Sequence, residues 1–196
     1  MTTCAVIPAA GKGSRLGLSV PKILVEILPG LTIWDVIEKK LADFVDSIHV
    51  IMSPAGAKLL ERHLKVKNPR VPESVGIQSQ PLGRGDAIFS NSVYWSSSDN
   101  IVIMWGDQAY VRKDTISRSI SQHVKLSSER VCTIPVVSLR NPYVDYIFSD
   151  DQTLVEVNQS REGETCRNIG LSDVGTFVLS TFRLLEHWEM YLKHAS

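Results

Sequence analysis

The sequence predicts a three-layer α/β/α fold in which helices cover a mixed, mostly parallel sheet. Short apolar runs alternate with amphipathic segments over most of the chain, and this alternation is typical of parallel strands joined by crossover helices. Beyond Pro142 the pattern changes to short strands in which apolar and polar residues alternate, which predicts an antiparallel extension of the sheet.

Each element follows from a local pattern. Thr32 is a favoured helix N-cap residue, and apolar residues recur at helical spacing from Ile33 to Leu41, so a helix is expected there. In the first part of the chain the predicted strands are residues 4–7, 48–52, 75–79, 101–105 and 131–137, and the other predicted helices are residues 55–66, 85–95 and 114–127. In the last part the predicted strands are residues 144–148, 154–158 and 174–179, the predicted loop is 159–172, and the final helix is 181–194.

The composition is that of one soluble domain with a substantial core. The chain has 196 residues, of which 43% are hydrophobic, and 21 Lys and Arg balance 21 Asp and Glu. A net charge of zero does not favour a nucleic-acid partner, which normally requires a basic face. The sequence has no apolar run of the ~20 residues that a membrane span needs, and no signal peptide. The 3 cysteines show no metal-ligand spacing, so we expect free thiols in the cytoplasm and no contact with membrane or nucleic acid.

A glycine-rich loop, residues 9–17, follows the first predicted strand. Ligands of open α/β sheets bind outside the carboxyl ends of the strands, where this loop lies. Gly11 and Gly13 let the backbone approach an anion closely, and successive amide N–H groups can surround phosphate oxygens. Lys12 and Arg15 add positive charge. The candidate phosphate-binding residues are Ala9, Ala10, Gly11, Lys12, Gly13, Ser14 and Arg15, together with Lys22, which follows Pro21.

Two better-known phosphate-binding motifs do not fit this loop. A P-loop has its lysine after the second glycine, whereas Lys12 stands between the two glycines. The dinucleotide fingerprint needs a third glycine one residue earlier than Gly17, and an acid at the end of the second strand, where Ser53 and Pro54 stand instead. Both alternatives are therefore excluded.

Two further strand ends carry polar residues. Gln78 offers a donor and an acceptor, as a group that reads a nucleobase edge must, and Gly83 and Gly85 open a helix that could hold a second anionic or polar group. Asp107 follows the most apolar strand, in a position suited to Mg²⁺, which prefers oxygen ligands. Asp173, expected to enter the strand 174–179, is a second acid at the same end of the sheet. The sequence therefore predicts a magnesium site on Asp107 and Asp173.

Together these motifs resemble those of the nucleotidyltransferases that join an NTP to a sugar 1-phosphate. Residues 5–22 are similar to the family's G-x-G-[ST]-R-[LM]…P-K loop, and residues 78–87 to its Q-x-x-x-L-G-T-G-x-A segment. Gly106 and Asp107 resemble its G-D metal site, and Asp173 stands where its N-[TSA]-G begins. The resemblance spans residues 5 to about 180 and extends to the uridylyltransferase part of N-acetylglucosamine-1-phosphate uridylyltransferases.

The resemblance implies a Rossmann-like fold of the nucleotide-diphospho-sugar transferase type and an Mg²⁺-dependent release of pyrophosphate. Residues 1–196 would form one domain, with a nucleotide-binding half over 1–140 and an acceptor-binding extension with a closing helix over 141–196. Lys12 and Arg15 would hold the β- and γ-phosphates, and Lys22 the α-phosphate. Arg15, Lys22 and Asp107 are thus the expected catalytic residues. No general base is needed, and the 5 histidines are expected at the surface.

The departures from the family pattern fall mostly on the acceptor side. Arg84 replaces the threonine between the two glycines, and Asp173 replaces asparagine. The sugar-reading segment, usually similar to V-E-K, lacks its lysine. The expected acceptor-binding residues are Asn158, Arg161 and Asp173, with Arg161 on the acceptor phosphate. Relatives often continue into a left-handed β-helix acyltransferase domain, which is not expected in this chain.

Several alternatives stay open from the sequence. UTP is the favoured nucleotide because of Gln78, followed by CTP, with GTP and dTTP less favoured. The acceptor could be a non-sugar phosphate such as phosphocholine, an inositol phosphate or a pterin phosphate. A catalytically idle nucleotide-binding or sensor domain is a third possibility. The final helix could support a homo-oligomer.

Overall fold

The computed structural model describes residues 1–11, 17, 20–126 and 131–195. The chain divides into two units, one of Met1–Thr133 with Phe177–Ser196 and the other of Ile134–Thr176. The functional division of a single domain near residue 140 stays a prediction.

The elements follow one another in the alternating order that the sequence predicts. The strands are β1 (Thr3–Pro8), β2 (Glu26–Leu28), β3 (Leu31–Thr32), β4 (Ser47–Met52), β5 (Glu73–Ile77), β6 (Asn100–Met104), β7 (Cys132–Thr133), β8 (Val136–Arg140), β9 (Val144–Phe148), β10 (Leu154–Gln159), β11 (Ile169–Asp173) and β12 (Thr176–Ser180). The helices are α1 (Ile33–Leu41), α2 (Pro54–Lys65), α3 (Arg84–Ser90), α4 (Lys113–Lys125) and α5 (Thr181–Ala195). None of these helices, in the part of the chain that the structure describes, is long and apolar enough to cross a membrane.

The main sheet has a parallel core with an antiparallel edge. Its strands lie in the order β5-β4-β1-β6-β12-β7. Strand β1 pairs in parallel with β4 and β6, and β4 pairs in parallel with β5. Strands β12 and β7 are antiparallel to each other. The mixed, mostly parallel sheet predicted from the sequence is therefore confirmed.

Helices cover both faces of this sheet because successive side chains of each strand point to opposite sides. Ala5 and Ile7 of β1 belong to a core with the buried residues of α1, α2 and α4. Cys4 and Val6, which alternate with them, belong to a second core with α3 and, at its margin, α5. The three-layer α/β/α fold is confirmed.

Helix α1 begins where its N-cap was predicted. The Thr32 hydroxyl oxygen accepts a hydrogen bond from the Asp35 amide (3.2 Å), and the Asp35 carboxylate accepts one from the Thr32 amide (2.8 Å). This reciprocal capping box satisfies two amide donors that the first turn leaves unpaired. Trp34, Ile37 and Leu41 are buried on its inner face.

Several boundaries differ from the predictions. The strand expected over 131–137 is interrupted between β7 and β8, where Pro135 has no amide hydrogen for a ladder. Helix α3 is shorter than the predicted 85–95 and is followed by a 3-10 turn. Strand β11 begins inside the expected loop 159–172 and ends at Asp173, so Asp173 ends a strand and does not enter the next one. His49 and His123 are fully buried, contrary to the expected surface position.

The second unit consists of two antiparallel strand pairs, β9 with β10 and β8 with β11. The Asp145 carboxylate on β9 is fully buried and accepts hydrogen bonds from the Arg167 side chain (2.8 and 2.7 Å) and from the Leu171 amide (3.0 Å). Gly170 permits this approach, because a Cβ atom there would lie 2.4 Å from Asp145 Oδ1. These contacts join the two strand pairs and hold the pKa of Asp145 at about 2, mainly through the Arg167 hydrogen bonds.

Glu73 at the start of β5 is expected to make stability fall with rising pH. Burial, and then the charges of Glu38 and Asp35, raise its pKa to about 7. Its pKa is higher in the folded chain than in the unfolded chain, where it is about 4.5. Its contribution to stability is therefore fully present below about pH 4.5 and is lost as the pH rises through about 7. We expect Glu73→Gln to raise the free energy of unfolding by about 1–2 kcal/mol at pH 8 and to change it little at pH 5.

Urea unfolding of the wild type and the Glu73→Gln variant at both pH values measures this difference. Glu189→Gln, at an exposed position of α5, is the matched control and should have no pH-dependent effect. An equal effect of Glu73→Gln at pH 5 and pH 8 would show that the Glu73 charge is not the cause.

Candidate functional site

A cavity of about 480 Å³ opens at the carboxyl ends of the parallel strands. Pro8 ends β1, Ser53 follows β4, Gln78 follows β5 and Trp105 follows β6, and all four line the cavity. Parallel strands place their carboxyl ends at one edge of the sheet, so the segments that follow them converge there. The cavity lies where the sequence predicts ligand binding.

The cavity brings together most of the described residues that the sequence predicts for nucleotide binding. Gly85 lies in the first turn of α3 and, within the described ranges, is not among the lining residues. The predicted residues that line the cavity are Ala9, Ala10, Gly11, Lys22, Gln78, Gly83, Arg84 and Asp107. Lys12, Gly13, Ser14 and Arg15 lie outside the described residues.

Lys22 and Asp107 form an ion pair in the cavity wall. The Lys22 ammonium nitrogen lies 3.4 Å from Asp107 Oδ2, and the two side chains are 42% and 49% exposed. Lys22 begins a short 3-10 turn after Pro21. The next residue, Ile23, is buried in the core that contains the buried residues of α1, α2 and α4. This anchor directs Lys22 to the carboxyl end of β6. The structure thus joins two residues that are 85 positions apart.

Gly106, just before Asp107, allows the loops of the cavity to approach each other. A Cβ atom at this position would lie 2.8 Å from Ala9 Cβ and 3.4 Å from Ile23 Cδ1. Two carbon atoms 2.8 Å apart repel each other strongly. A side chain at position 106 would therefore force the backbone or a neighbouring side chain to shift. Glycine is therefore needed here for close packing of the loops after β1 and β6.

Gln78 is held by the start of α3. Its amide nitrogen donates to the Gly83 carbonyl oxygen (2.9 Å) and to Asp86 Oδ2 (2.7 Å). Both partners are acceptors, so the group that faces them is the NH₂ end of the amide. Among the residues that the structure describes, the oxygen end is consequently the part of Gln78 that remains for a ligand. The hydrogen bonds also fix the position of Gly83, whose φ of +105° a side chain rarely adopts.

Arg84 lies over Trp105 inside the same cavity. The guanidinium carbon is 4.5 Å from the centroid of the Trp105 ring, and both residues line the cavity. Trp105 in turn packs against Phe177 of β12, with 5.4 Å between the ring centroids. A cation over an indole face is attracted by the electron density of the ring, so Arg84 is held at the cavity wall.

The predicted acceptor residues lie in the second unit. Arg161 is stacked over Tyr143, at 4.6 Å from the ring centroid. Asn158 lies on β10 and accepts a weak hydrogen bond from Cys166 at its carbonyl oxygen (3.5 Å). Asp173 accepts hydrogen bonds from the Tyr146 hydroxyl (3.0 Å) and the Gly175 amide (2.7 Å). Their roles as acceptor-binding or metal-binding residues stay predictions.

The donor set at Asp107 suits a hard divalent cation. Among the residues that the structure describes, no group of three or more His, Cys, Asp or Glu lies close enough to hold a metal ion. Magnesium is often bound by one or two carboxylates together with substrate phosphates and water. The Asp107 carboxylate keeps lone pairs that its contact with Lys22 does not use. It can therefore supply one ligand, with phosphate and water supplying the others.

Sequence reasoning missed a support of the Asp107 loop. Lys40, at the end of α1, donates to the carbonyl oxygens of Ala109 and Val111, the latter at 2.8 Å. Burial lowers the pKa of this lysine. A lysine in the last turn of a helix is usually solvated, so nothing in the sequence marks it. The Gln78–Asp86 contact and the Arg84–Trp105 stack were missed for the same reason: tertiary packing alone creates them.

Comparisons with known proteins identify the family of this chain. The family model of the MobA-like NTP transferase domain matches residues 5–167. "Bifunctional protein GlmU" of Streptococcus uberis is 26% identical over 190 residues, covering 95% of this chain and 40% of that protein. The GlmU protein of Clostridium beijerinckii is 23% identical over 184 residues, covering 87% and 39%. This chain therefore spans about two fifths of the length of these relatives.

Solved structures share the fold. The crystal structure of HddC from Yersinia pseudotuberculosis superposes with a TM-score of 0.68 and 21% identity, covering 92% of this chain and 77% of that one. A structure of the same protein complexed with GMP-PN gives a TM-score of 0.66 and 20% identity. The fold, the cavity at the strand ends and the match over residues 5–167 lead to one conclusion: the chain belongs to the MobA-like NTP transferase domain family and is a nucleotidyltransferase domain.

Proposed function

We propose that this chain transfers a nucleotidyl group from an NTP, with UTP favoured, to a sugar 1-phosphate and releases pyrophosphate. The observation that carries the proposal is the Lys22–Asp107 pair in the wall of a cavity of about 480 Å³ at the carboxyl edge of the sheet. A cavity of this volume is within the usual range for small-molecule sites. An ammonium group beside a carboxylate can serve a phosphate and a cation at the same place.

The reaction exchanges one phosphoanhydride for another. An oxygen of the acceptor phosphate attacks the α-phosphorus, the bond from that phosphorus to the bridging oxygen breaks, and pyrophosphate leaves with the electron pair. The attacking oxygen is already ionised, so the protein has only to align the reactants and neutralise charge. In the proposal the Lys22 ammonium faces the α-phosphate, and Lys12 and Arg15 hold the β- and γ-phosphates.

Asp107 and Asp173 are the proposed ligands of Mg²⁺. When bound, the ion would neutralise charge on the phosphates and help to align them. Asp107 presents its carboxylate beside the Lys22 ammonium, and Asp173 has its two carboxylate oxygens oriented by Tyr146 and Gly175. Orienting contacts of this kind are typical of carboxylates that bind metals.

The proposed acceptor site consists of Arg161 and Asn158. The stack of Arg161 over Tyr143 restrains the guanidinium group without using its N–H donors. These donors match the oxygens of a phosphate, so Arg161 is proposed to hold the acceptor phosphate and Asn158 the sugar hydroxyls. A homo-oligomer formed through α5 stays part of the proposal.

The proposal for the base depends on Gln78. An oxygen acceptor directed at the base suits the ring N–H of uracil, which supports UTP. The fold neighbour HddC has been solved with GMP-PN, so GTP is a second candidate.

The free thiols of Cys4, Cys132 and Cys166 support action in the reducing cytoplasm.

The test is pyrophosphate release with Mg²⁺, in which UTP, GTP, CTP and ATP are each combined with a panel of sugar 1-phosphates and non-sugar phosphates. We expect release that requires one nucleotide and one sugar 1-phosphate together. Release only with a non-sugar phosphate would contradict the proposed acceptor. Binding of Mg-NTP with no release across the panel would indicate a nucleotide-binding domain without this activity.

A further inference from the structure

Arg84 is the cavity residue at which the chain departs from the family pattern, in which a threonine stands between the two glycines. It stands between Gly83 and Gly85 as the first residue of α3, at an exposed position where a free arginine would extend into water. Instead its guanidinium group lies 4.5 Å from the centroid of the Trp105 ring, at the cavity wall. Trp105 is itself in contact with the Phe177 ring. The stack leaves the five N–H donors of the guanidinium, which lie at its edge, available to a ligand.

Gln78 supplies the opposite kind of group in the same cavity. Its NH₂ end is committed to the Gly83 carbonyl oxygen and the Asp86 carboxylate, neither of which can donate. The amide therefore cannot rotate to present its nitrogen to a ligand without facing two acceptors with an oxygen. Gln78 acts in this cavity as an acceptor, and Arg84 as a donor.

We propose that Arg84, held on Trp105, selects bases that carry a carbonyl oxygen next to a ring N–H. Uracil and guanine have this keto pattern: the carbonyl oxygen would accept from Arg84, and the ring N–H would donate to Gln78. Cytosine and adenine present an amino group beside an unprotonated ring nitrogen. With these bases the amino group would face the N–H donors of Arg84, so two donors would meet. The unprotonated ring nitrogen would face the Gln78 oxygen, so two acceptors would meet. The inference rests on the proposed function and deepens it.

The expected preference is large enough to measure. A matched pair of hydrogen bonds to a base edge discriminates by about 1–3 kcal/mol, which is roughly a 5- to 150-fold difference in affinity. Guanine offers a second acceptor, N7, next to its carbonyl oxygen, so a bidentate contact with Arg84 is available to it. The pair therefore favours UTP and GTP and disfavours CTP, the runner-up in the sequence analysis.

A guanidinium group in a nucleotide cavity can also hold phosphate. The two roles predict different results, because a phosphate contact weakens all nucleotides alike, whereas a base contact weakens only the keto nucleotides. Inorganic tripolyphosphate, which has no base, separates them further.

The test is isothermal titration of UTP, GTP, CTP, ATP and tripolyphosphate, each with Mg²⁺, into the wild type and the Arg84→Met variant. The matched control is Arg118→Met, which removes an exposed arginine of α4 whose partner is Asp114. We expect the wild type and the control to bind UTP and GTP at least 10-fold more tightly than CTP and ATP. Arg84→Met should weaken the binding of UTP and GTP about 10-fold, should leave the binding of CTP and ATP unchanged or stronger, and should change that of tripolyphosphate less than 2-fold. Melting temperatures verify that each variant is folded.

Two results would overturn base selection: equal weakening of all four nucleotides and tripolyphosphate in Arg84→Met, or a wild type that binds the four nucleotides alike. Failure of the proposed function is distinguishable from these. Keto preference without pyrophosphate release would contradict the transfer reaction and support the inference, whereas no binding of any nucleotide would contradict both.

Discussion

Replacement of Asp107 by asparagine is expected to lower the turnover number for pyrophosphate release by about 10²–10³-fold. Asparagine keeps the size of the side chain and removes its charge. Removing one group on which the stabilisation of transition-state charge depends costs about this much in rate, and Asp107 is proposed to act by holding Mg²⁺. The stability of the protein should hardly change, because the Asp107 side chain is 49% exposed and its contact with Lys22 is a surface ion pair.

The measurement is the rate of pyrophosphate release at saturating nucleotide and acceptor, repeated over a range of Mg²⁺ concentrations. We expect the Asp107→Asn variant to need more Mg²⁺ for its residual rate, because it has lost an anionic ligand candidate. Its melting temperature should stay close to that of the wild type.

Asp114→Asn is the matched control for this variant. Asp114 lies on α4, its side chain is 53% exposed, and it also forms a surface ion pair, with Arg118. Turnover in the control should remain within about twofold of the wild type, since this ion pair lies outside the cavity. Retention of more than a tenth of wild-type turnover in Asp107→Asn would remove Asp107 from the catalytic residues.

The sequence predicts best those features that depend on neighbouring residues. The N-cap at Thr32 and the buried strands β1, β4 and β6 follow from local patterns, and so does the edge of the sheet where Asp107 lies. Pro135 shows the limit of such patterns. An apolar run of the right length predicts a single strand, but a residue without an amide hydrogen divides it into β7 and β8.

Features that depend on distant residues could not be predicted. His49 is buried because Ser74 on the adjacent strand and Asn91 after α3 contact its two ring nitrogens, at 2.8 and 3.4 Å. Nothing near His49 in the sequence indicates these partners. The orientation of Gln78 likewise depends on Asp86, and the placement of Arg84 depends on Trp105. Residue types in loops predict the kind of ligand, whereas the partners that orient them are known only from the fold.

Asp145 is the most consequential of these unpredicted residues for the second unit. It is fully buried, and its carboxylate accepts hydrogen bonds from the Arg167 backbone and side chain and from the Leu171 amide. The strand that these contacts fix, β11, ends at Asp173, whose carboxylate is oriented by Tyr146 next to Asp145. The buried Asp145 carboxylate therefore determines the position of Asp173, a proposed metal ligand, within the second unit.

We expect Asp145→Asn to destabilise the second unit by about 3 kcal/mol at pH 7. The amide keeps one oxygen, loses the charge, and places an NH₂ group against donors, while hydrogen bonds to a buried charge contribute about 1.5–3 kcal/mol. The pKa of Asp145 is about 2, below its unfolded value of 3.8. Its stabilising effect is therefore fully present above about pH 4 and is lost as the pH falls through 2, so the difference from the wild type should narrow at low pH.

Amide hydrogen exchange of peptides from residues 144–173 measures this local stability. The exchange rate of the slowest amides of β9 and β11 should rise roughly 100-fold in Asp145→Asn, while those of β1 and β4 stay unchanged, since the affected contacts all lie in the second unit. Asp150→Asn, which replaces an exposed aspartate in the turn after β9, is the matched control and should leave exchange unchanged. Equal protection in the two variants would mean that backbone pairing alone holds β11, and that the position of Asp173 does not depend on the buried carboxylate.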